Sequence, residues 1–293
     1  MDNPLRGIIL MLGATMCFSC SDAMAKYLGQ SLPVTEIIWI RYCAFVALAI
    51  GFFLRSGRPR LQVRSPAVQI LRGLGLVGSA LFFVSGLRLL PMADAASINF
   101  VSPLMITLLA VPMLGEVVGL RRWIAIIVGL LGVLIVIRPG PGALQLGAGF
   151  VVLSSLCWAV GSVLTRRLAG TDHAATTLLW SAVTGFVVLS LLLPLEFVRP
   201  SAWLLALTVM MGMVASSGQY LLVLAYSHAG AAVLAPFSYA QLLWSTALGY
   251  AEFGALPDGW TVLGATIIAG SGLYSANRER VQSQRLGAMS ARP

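Results

Sequence analysis

Two charged side chains near the N-terminus interrupt long apolar runs and could carry acid–base or ion-pairing chemistry. Asp22 stands about three quarters of the way along a run that begins at Gly7, and Arg41 stands about one turn into the next run. An ionisable group inside an apolar segment is a functional candidate by default, so Asp22 is a candidate for carrying a proton or binding an ammonium group. Arg41 is a candidate for binding a ligand carboxylate, because its planar guanidinium suits two parallel hydrogen bonds.

Each of these two residues also has a structural alternative. Asp22 precedes Lys26 by four residues, which is the spacing of an ion pair within one helix. Arg41 could pair with Glu36 or Asp94, or it could extend to the membrane surface. Asp94 itself is predicted to cap the N-terminus of the helix that it begins. The sequence leaves both alternatives open.

A second set of residues, polar or aromatic, is embedded in apolar runs in both halves of the chain. A few polar groups amid aromatic walls are the usual make-up of a small-molecule pocket. Amides there would orient a carboxylate, and rings would hold an apolar side chain or attract an ammonium group. The predicted pocket comprises Asn99, Phe100, Trp158, Tyr239, Gln241, Phe82 and Tyr220. The alternative for these residues is hydrogen bonding and packing between helices.

Several other chemistries lack the residues that they would need. The four cysteines lie in apolar segments, where thiols behave as small hydrophobes, so we expect neither disulfides nor a metal site. The two histidines lie in turns without a second ligand nearby, and the sequence contains no Gly-x4-Gly-Lys-Ser/Thr phosphate loop. We therefore expect no cofactor, no ATP hydrolysis and no enzymatic activity.

The composition indicates that lipid is the solvent of these segments. Hydrophobic residues make up 58% of the 293 residues and charged residues 10%, whereas a soluble domain carries about 25% charged residues. A polytopic membrane protein is the predicted class. The net charge of +9 lies in short loops, so it is better explained by orientation in a bilayer than by nucleic-acid binding. The oligomeric state is left open.

Two apolar runs in corresponding places are interrupted by proline and polar residues. They span residues 93–114 and 229–250, and an offset of 139 pairs Phe100 with Tyr239. Pro103 and Pro236 interrupt the runs, although the two prolines are out of register. Interrupted helices at matched positions of a repeat indicate a binding site near the middle of the membrane.

The interrupted runs belong to a longer internal repeat. Residues 7–28 align with residues 147–168 at an offset of 140. We predict an all-α membrane protein of ten transmembrane helices, with a first repeat over residues 7–139, a second over 146–277 and a polar cytoplasmic tail over 278–293. Because five spans per repeat is an odd number, the second repeat enters the membrane in the opposite sense, which makes the repeats inverted.

The positive charges predict the orientation. With the N-terminus inside, the cytoplasmic segments hold thirteen Lys and Arg residues and the outer segments hold four, namely Lys26, Arg88, Arg138 and Arg199. This asymmetry places both termini in the cytoplasm of a bacterial-type inner membrane. The alternative is a removable signal peptide, since Arg6, the apolar run and Ala23-Met24-Ala25 imitate one; however, its removal would leave the first repeat one helix short.

The chain resembles the EamA family of the drug/metabolite transporter superfamily. The resemblance lies in Leu114-Gly115-Glu116 followed by Trp123 and Arg138-Pro139, and in a second copy that runs from Phe253-Gly254-Ala255 to Trp260 and the glycines after it. The second copy has Ala255 where the pattern has an acid. The resemblance covers about residues 7–277.

This resemblance implies a secondary transporter that works by alternating access. The aromatic residues of the predicted pocket make exporters of aromatic amino acids the nearest comparison, with a broad selectivity for aromatic and large apolar amino acids. The alternative is a carrier of another small metabolite or drug with the same fold. A membrane enzyme and a passive channel are disfavoured, because the sequence has no catalytic cluster and no continuous polar pore.

Overall fold

The computed structural model describes residues 4–55, 63–115, 119–138, 143–168, 171–229 and 231–290. Helices, joined by short turns, account for nearly all of these residues, and the described ranges contain no strand. The predicted boundary between the repeats at residues 139–142 and the motif residue Glu116 lie outside the described residues.

Within the described residues, the first repeat forms six helices instead of the five expected. They are α1 (Pro4–Leu28), α2 (Val34–Arg55), α3 (Pro66–Leu89), α4 (Met92–Asn99), α5 (Ser102–Leu114) and α6 (Leu120–Ile137). The second repeat likewise forms α7 (Ala143–Leu168), α8 (Ala174–Leu192), α9 (Ala202–His228), α10 (Ala231–Ser238), α11 (Ala240–Phe253) and α12 (Gly259–Ser290). A short 3-10 turn at Leu193–Leu195 follows α8.

The additional helices arise because the fourth and ninth spans are each divided in two. Within the described residues, seven segments are long and apolar enough to cross a membrane, and one of them, Met92–Leu114, includes both α4 and α5. The shorter apolar helix Trp123–Ile137 takes the fifth place. The pair α10 and α11 and the first part of α12 occupy the ninth and tenth places. The chain is therefore a multi-pass membrane protein, and its described residues supply helices for all ten predicted places.

The two breaks lie in register although the prolines do not. The first break falls at Phe100 and Val101, directly before α5, which has Pro103 in its first turn. The second falls at Tyr239, whereas Pro236 lies inside α10. The offset of 139 between Phe100 and Tyr239 holds again where α5 and α11 end, at Gly115 (φ 71°) and Gly254 (φ 63°). This left-handed backbone conformation favours glycine.

Inverted symmetry is visible in how the two repeats pack on each other. The repeat relates α1 to α7 and α3 to α9. Helix α1 packs along α9, and in the same way α7 packs along α3. Glycines allow this close approach: a Cβ atom at Gly78 would lie 3.4 Å from Cys157 Sγ, and one at Gly218 would lie 3.0 Å from Cys17 Cβ. The offset of 140 relates Gly78 to Gly218 and Cys17 to Cys157, so the two contacts are equivalent.

Two other helices of the first repeat pack directly on the equivalent helix of the second repeat, across the symmetry axis. Helix α2 packs on α8 and α6 packs on α12. In the second pair, a Cβ atom at Gly264 would lie 2.7 Å from the backbone oxygen of Gly132. The broken spans are held inside this frame, with α4 and α11 in contact and with α11 packed on α1.

Candidate functional site

The two helix breaks meet inside the bundle. The rings of Phe100 and Tyr239 are stacked, with centroids 4.6 Å apart and planes 26° apart. Each of these residues occupies the point where its span changes helix. Because the offset of the repeat exchanges them, the symmetry axis passes between the two rings. The predicted pairing of Phe100 with Tyr239 across the repeats is thus a direct contact.

A row of polar side chains joins α1 to α11 beside this ring pair. The amide nitrogen of Gln241 donates to Asp22 Oδ2 at 3.4 Å. The hydroxyl groups of Ser19 and Ser245 lie 3.2 Å apart, and Ser19 Oγ also donates to the backbone oxygen of Gln241 at 3.3 Å. Two predicted site residues, Asp22 and Gln241, are therefore brought together from opposite halves of the chain.

The ion pair with Lys26, which was the structural alternative for Asp22, does not form. The Lys26 ammonium instead donates to the backbone oxygens of Leu87 at 2.7 Å and Leu90 at 2.5 Å. These carbonyls lie at the C-terminus of α3, where a cation offsets the negative end of the helix dipole. Asp22 is instead hydrogen-bonded to Gln241. The positive charge of Arg41 also acts on the Asp22 carboxylate electrostatically.

The ion-pair alternatives for Arg41 and the expected capping role of Asp94 are not observed. Among the described residues Arg41 makes no ion pair with Glu36 or Asp94. Glu36 Oε2 accepts from the backbone nitrogen of Val198 at 3.2 Å, because Glu36 is buried against that loop. Asp94 lies in the first turn of α4, but it does not cap the helix and instead accepts from Thr261 Oγ1 at 2.9 Å.

Asn99 lies on the other side of the first break. Its side-chain oxygen accepts from Ser155 Oγ of α7 at 3.3 Å, and its backbone oxygen accepts from Ser102 Oγ at 2.6 Å. The side-chain bond ties the end of α4 to the second repeat. Asn99, Phe100, Tyr239, Gln241 and Asp22 thus surround the two breaks, and these five residues form what we call the break site.

The remaining three predicted pocket residues make no ring contact with the Phe100–Tyr239 pair within the described residues. Phe82 stacks on Phe150 of α7, with ring centroids 6.2 Å apart. Trp158 is 45% exposed and Tyr220 is 65% exposed, and over the described ranges neither ring stacks on the Phe100–Tyr239 pair. A role for these three residues in the pocket therefore stays a prediction.

The sequence analysis missed several polar residues beside the break site. Besides Ser19, Ser155 and Ser245, Trp244 has a buried indole nitrogen with no partner in the described part of the chain. Gln241, Trp244 and Ser245 share one face of α11, and Ser19 and Asp22 share one face of α1. The spacing of three and four residues could have indicated that these side chains lie on the same helix faces as Asp22 and Gln241.

Comparison with known proteins is consistent with this geometry. The model of the EamA-like transporter family matches residues 5–138 and 145–275. A solved crystal structure with 22% sequence identity has a TM-score of 0.64, and the match covers 94% of this chain and 98% of the other. At that identity the likeness shows a shared fold.

Curated relatives carry the names of transporters. An S-adenosylmethionine uptake transporter of Rickettsia prowazekii is 28% identical, with 94% of each chain covered. A riboflavin transporter of Rhizobium johnstonii is 29% identical, with 93% of this chain and 91% of the relative covered. A pseudopaline exporter of Pseudomonas aeruginosa is 27% identical, with 89% and 93% covered.

These names do not support the aromatic amino-acid export that the resemblance implied, since the substrates named are S-adenosylmethionine, riboflavin and pseudopaline. The names agree with transport of small molecules, and they include both uptake and export. The family itself is shown by the match over both halves: this chain belongs to the EamA-like transporter family.

Proposed function

We propose that this protein is a secondary carrier of a small organic metabolite that combines a flat ring with a charged group. The observation that carries the proposal is the stacked pair of Phe100 and Tyr239 at the two helix breaks, beside the Asp22–Gln241 hydrogen bond. Aromatic faces bind flat rings by stacking, and each such pair contributes roughly 0.5–1.5 kcal/mol beyond its buried area.

The polar groups of the break site supply the second part of substrate recognition. Asp22 offers a negative charge for a cationic group, and Asn99 and Gln241 offer amides for hydrogen bonds. Arg41 acts on Asp22, so binding of a cation or a proton at Asp22 would also change the balance of charge between α1 and α2. Proton or substrate coupling through Asp22 and Arg41 is part of the proposal.

The relatives favour the heteroaromatic class over free amino acids. S-adenosylmethionine and riboflavin each contain a flat heteroaromatic ring system, and each is named for a relative of this chain. Of the two, S-adenosylmethionine also carries charged groups. Export of aromatic and large apolar amino acids, which also present a ring or an apolar group beside a charge, is the second candidate. Both candidates place the substrate at the same pair of rings.

Alternating access is part of the proposal, and it is supported by the position of the two breaks on the symmetry axis. In carriers built from inverted repeats, the two repeats exchange conformations around a fixed midplane site. Here the residues that face each other at the breaks come one from each repeat, so an exchange of conformations would move them in opposite senses. The site would then open first to one side and afterwards to the other.

Transport by purified protein in liposomes tests the proposal. The substrates are S-adenosylmethionine, riboflavin, tryptophan and leucine, each labelled, with flux measured in both directions and conductance recorded in parallel. We expect saturable flux without conductance, with a preference for ring-bearing compounds. Conductance without saturation would indicate a channel and overturn the proposal.

A matched pair of variants locates the site. Tyr239→Ala removes a ring of the stacked pair, whereas Tyr250→Ala removes a ring from the same helix that is 57% exposed. Loss of one stacking partner should raise KM about tenfold for a ring-bearing substrate, and Tyr250→Ala should leave KM unchanged. Equal KM values for wild type and Tyr239→Ala, at normal protein levels, would move the site elsewhere.

A further inference from the structure

A separate cavity lies at the end of the bundle that holds the α1–α2 turn. Its volume is about 460 Å³, which is within the range of roughly 300–1,000 Å³ typical of small-molecule pockets. The ends of α1 and α3 and the beginnings of α2 and α7 form its walls. The lining residues are Lys26, Gly29, Gln30, Val34, Ser85, Arg88, Leu89 and Phe150. We call this space the basic cavity.

The charged side chains of the basic cavity are all positive. Lys26 and Arg88 line it, and no lining residue is acidic. The acid that acts on Lys26 is Asp94, which is already hydrogen-bonded to Thr261. Asp22, one turn before Lys26, is hydrogen-bonded to Gln241. The cavity therefore attracts anions.

Several polar groups of the cavity have unused hydrogen-bonding capacity. In the part of the chain that the structure describes, Arg88, Gln30 and Ser85 make no side-chain hydrogen bond or ion pair. Lys26 uses two of its three donors on the backbone oxygens of Leu87 and Leu90, and those bonds fix the ammonium at the cavity wall. A guanidinium, an amide and a hydroxyl together suit a planar or tetrahedral oxyanion. The ammonium of Lys26 adds positive charge, although it also lies over the Phe253 ring, 5.5 Å from the ring centroid.

Another part of the lining of the basic cavity is apolar. Phe150 is held by stacking on Phe82, with planes 15° apart, and Val34 and Leu89 extend the same surface. A ligand with an oxyanion at one end and an apolar or aromatic body at the other would suit both the polar and the apolar parts of the lining. Phe82, predicted as part of the central pocket, would then support this second site.

We infer that the basic cavity is a second binding site, which takes the carboxylate or phosphate of a small organic anion with an apolar or aromatic body. Its role as a vestibule ahead of the break site rests on the proposed carrier function, whereas the binding itself does not. Lys26 links the two sites, because it lines the cavity and lies one turn from Asp22 on the same face of α1.

Binding measurements on the full chain test the inference. Phenyl phosphate and benzoate, with benzyl alcohol as the neutral control, are titrated calorimetrically into protein in phosphatidylcholine nanodiscs. We expect the two anions to bind and the alcohol not to bind. Arg88→Gln should weaken anion binding about tenfold through loss of a charge-assisted hydrogen bond, and Arg88→Lys should weaken it less.

Arg199→Gln serves as the matched control. Arg199 lies in the loop before α9, is exposed and does not line the cavity, so its neutralisation should leave binding unchanged. If Arg88→Gln does not accumulate, Gln30→Ala tests the same cavity from an exposed turn. Equal affinity for wild type and every cavity variant, or equal weakening by Arg199→Gln, would overturn the inference.

Two further experiments are needed. One distinguishes a small organic anion from a lipid headgroup as the occupant of the cavity, and the other tests the carrier function and the basic cavity independently. Addition of phosphatidylglycerol to the nanodiscs should not compete with the probes; competition would assign the cavity to a lipid headgroup and overturn the vestibule. Tyr239→Ala should impair transport while probe binding persists. Absence of transport in the wild type would contradict the carrier function alone, whereas probe binding that is insensitive to Arg88 and Gln30 would contradict the basic cavity alone.

Discussion

At the scale of single residues, the carboxylate of Asp22 depends on a side chain from the other repeat. Its described hydrogen bond comes from Gln241, 219 residues later in the chain. An ionisable group in the membrane is costly unless it is paired or serves a function. Since Lys26 is engaged at the end of α3, the charge of Asp22 is available to a substrate or a proton.

Neutralisation of Asp22 should therefore impair transport more than folding. Asp22→Asn keeps the shape of the side chain and an oxygen that can accept from Gln241, but it removes the charge. We expect at least a tenfold lower transport rate in liposomes with an unchanged thermal unfolding midpoint, from the loss of an ionic contact of about 1.5–3 kcal/mol. The control is Glu252→Gln, which neutralises an exposed acid of α11. Wild-type rate and pH dependence in Asp22→Asn would show that the carboxylate is structural.

The position of the Tyr239 ring is set by a glycine of α12. A Cβ atom at Gly272 would collide with the Tyr239 hydroxyl, whereas a Cβ atom at Gly270 meets nothing within 4 Å. Gly272→Ala should therefore displace the ring and weaken transport of ring-bearing substrates, and Gly270→Ala should not. The measurement is KM for the two variants in liposomes. Identical KM values would mean that stacking geometry at the breaks does not affect binding.

Some residues of the candidate site could be predicted from the sequence, and others could not. Asp22 and Gln241 were identifiable because a charge and an amide inside apolar runs are rare. The sequence did not identify Ser19, Ser155 and Ser245. Serine is common in membrane helices, and its hydroxyl usually bonds to the backbone of its own helix, as that of Ser155 also does with Val151. The exposure of Trp158 and Tyr220 was also not predictable, since it depends on how each helix is rotated.

At the scale of elements, the helix breaks are placed by the repeat and not by the prolines alone. Pro103 lies at the start of α5, as expected of a residue that lacks a backbone donor. Pro236 lies three residues before the break at Tyr239 and is accommodated within α10. The offset of 139 between Phe100 and Tyr239 predicted the second break better than its proline did. Both breaks coincide with a contact between the repeats, since the rings of Phe100 and Tyr239 are stacked.

The contact between α3 and α7 requires glycine at its centre. A Cβ atom at Gly75 would lie 2.9 Å from the backbone oxygen of Cys157 and 3.1 Å from the backbone nitrogen of Gly161. Because backbone atoms cannot move aside easily, Gly75→Ala should destabilise the protein by about 1–3 kcal/mol. Gly149→Ala on α7, where a Cβ atom meets nothing within 4 Å, is the control. Thermal unfolding in detergent measures both; equal midpoints would contradict the close approach.

At the scale of the whole molecule, the orientation in the membrane remains a prediction from charge. The turn after α1 and the turn after α7 lie at opposite ends of the bundle, because Lys26 near the end of α1 meets the end of α3, and α3 and α7 run antiparallel. A cysteine at Ser31 should react with an impermeant maleimide from outside the cell. A cysteine at Thr171 should react only after permeabilisation. Both residues are exposed, and the reverse pattern would invert the topology.

The packing of α1 on α9 and of α3 on α7 has a consequence for biosynthesis. Neither repeat contains its own main packing partners, so neither half is expected to be a stable folding unit. After α1 is complete, roughly 170 further residues must be made before α9 begins, which takes about 10–35 s at roughly 5–20 residues per second. During that interval the small-residue face of α1, with Gly7 and Gly13, contacts lipid or the insertion machinery. Chain assembly in the membrane therefore finishes only when the second repeat arrives.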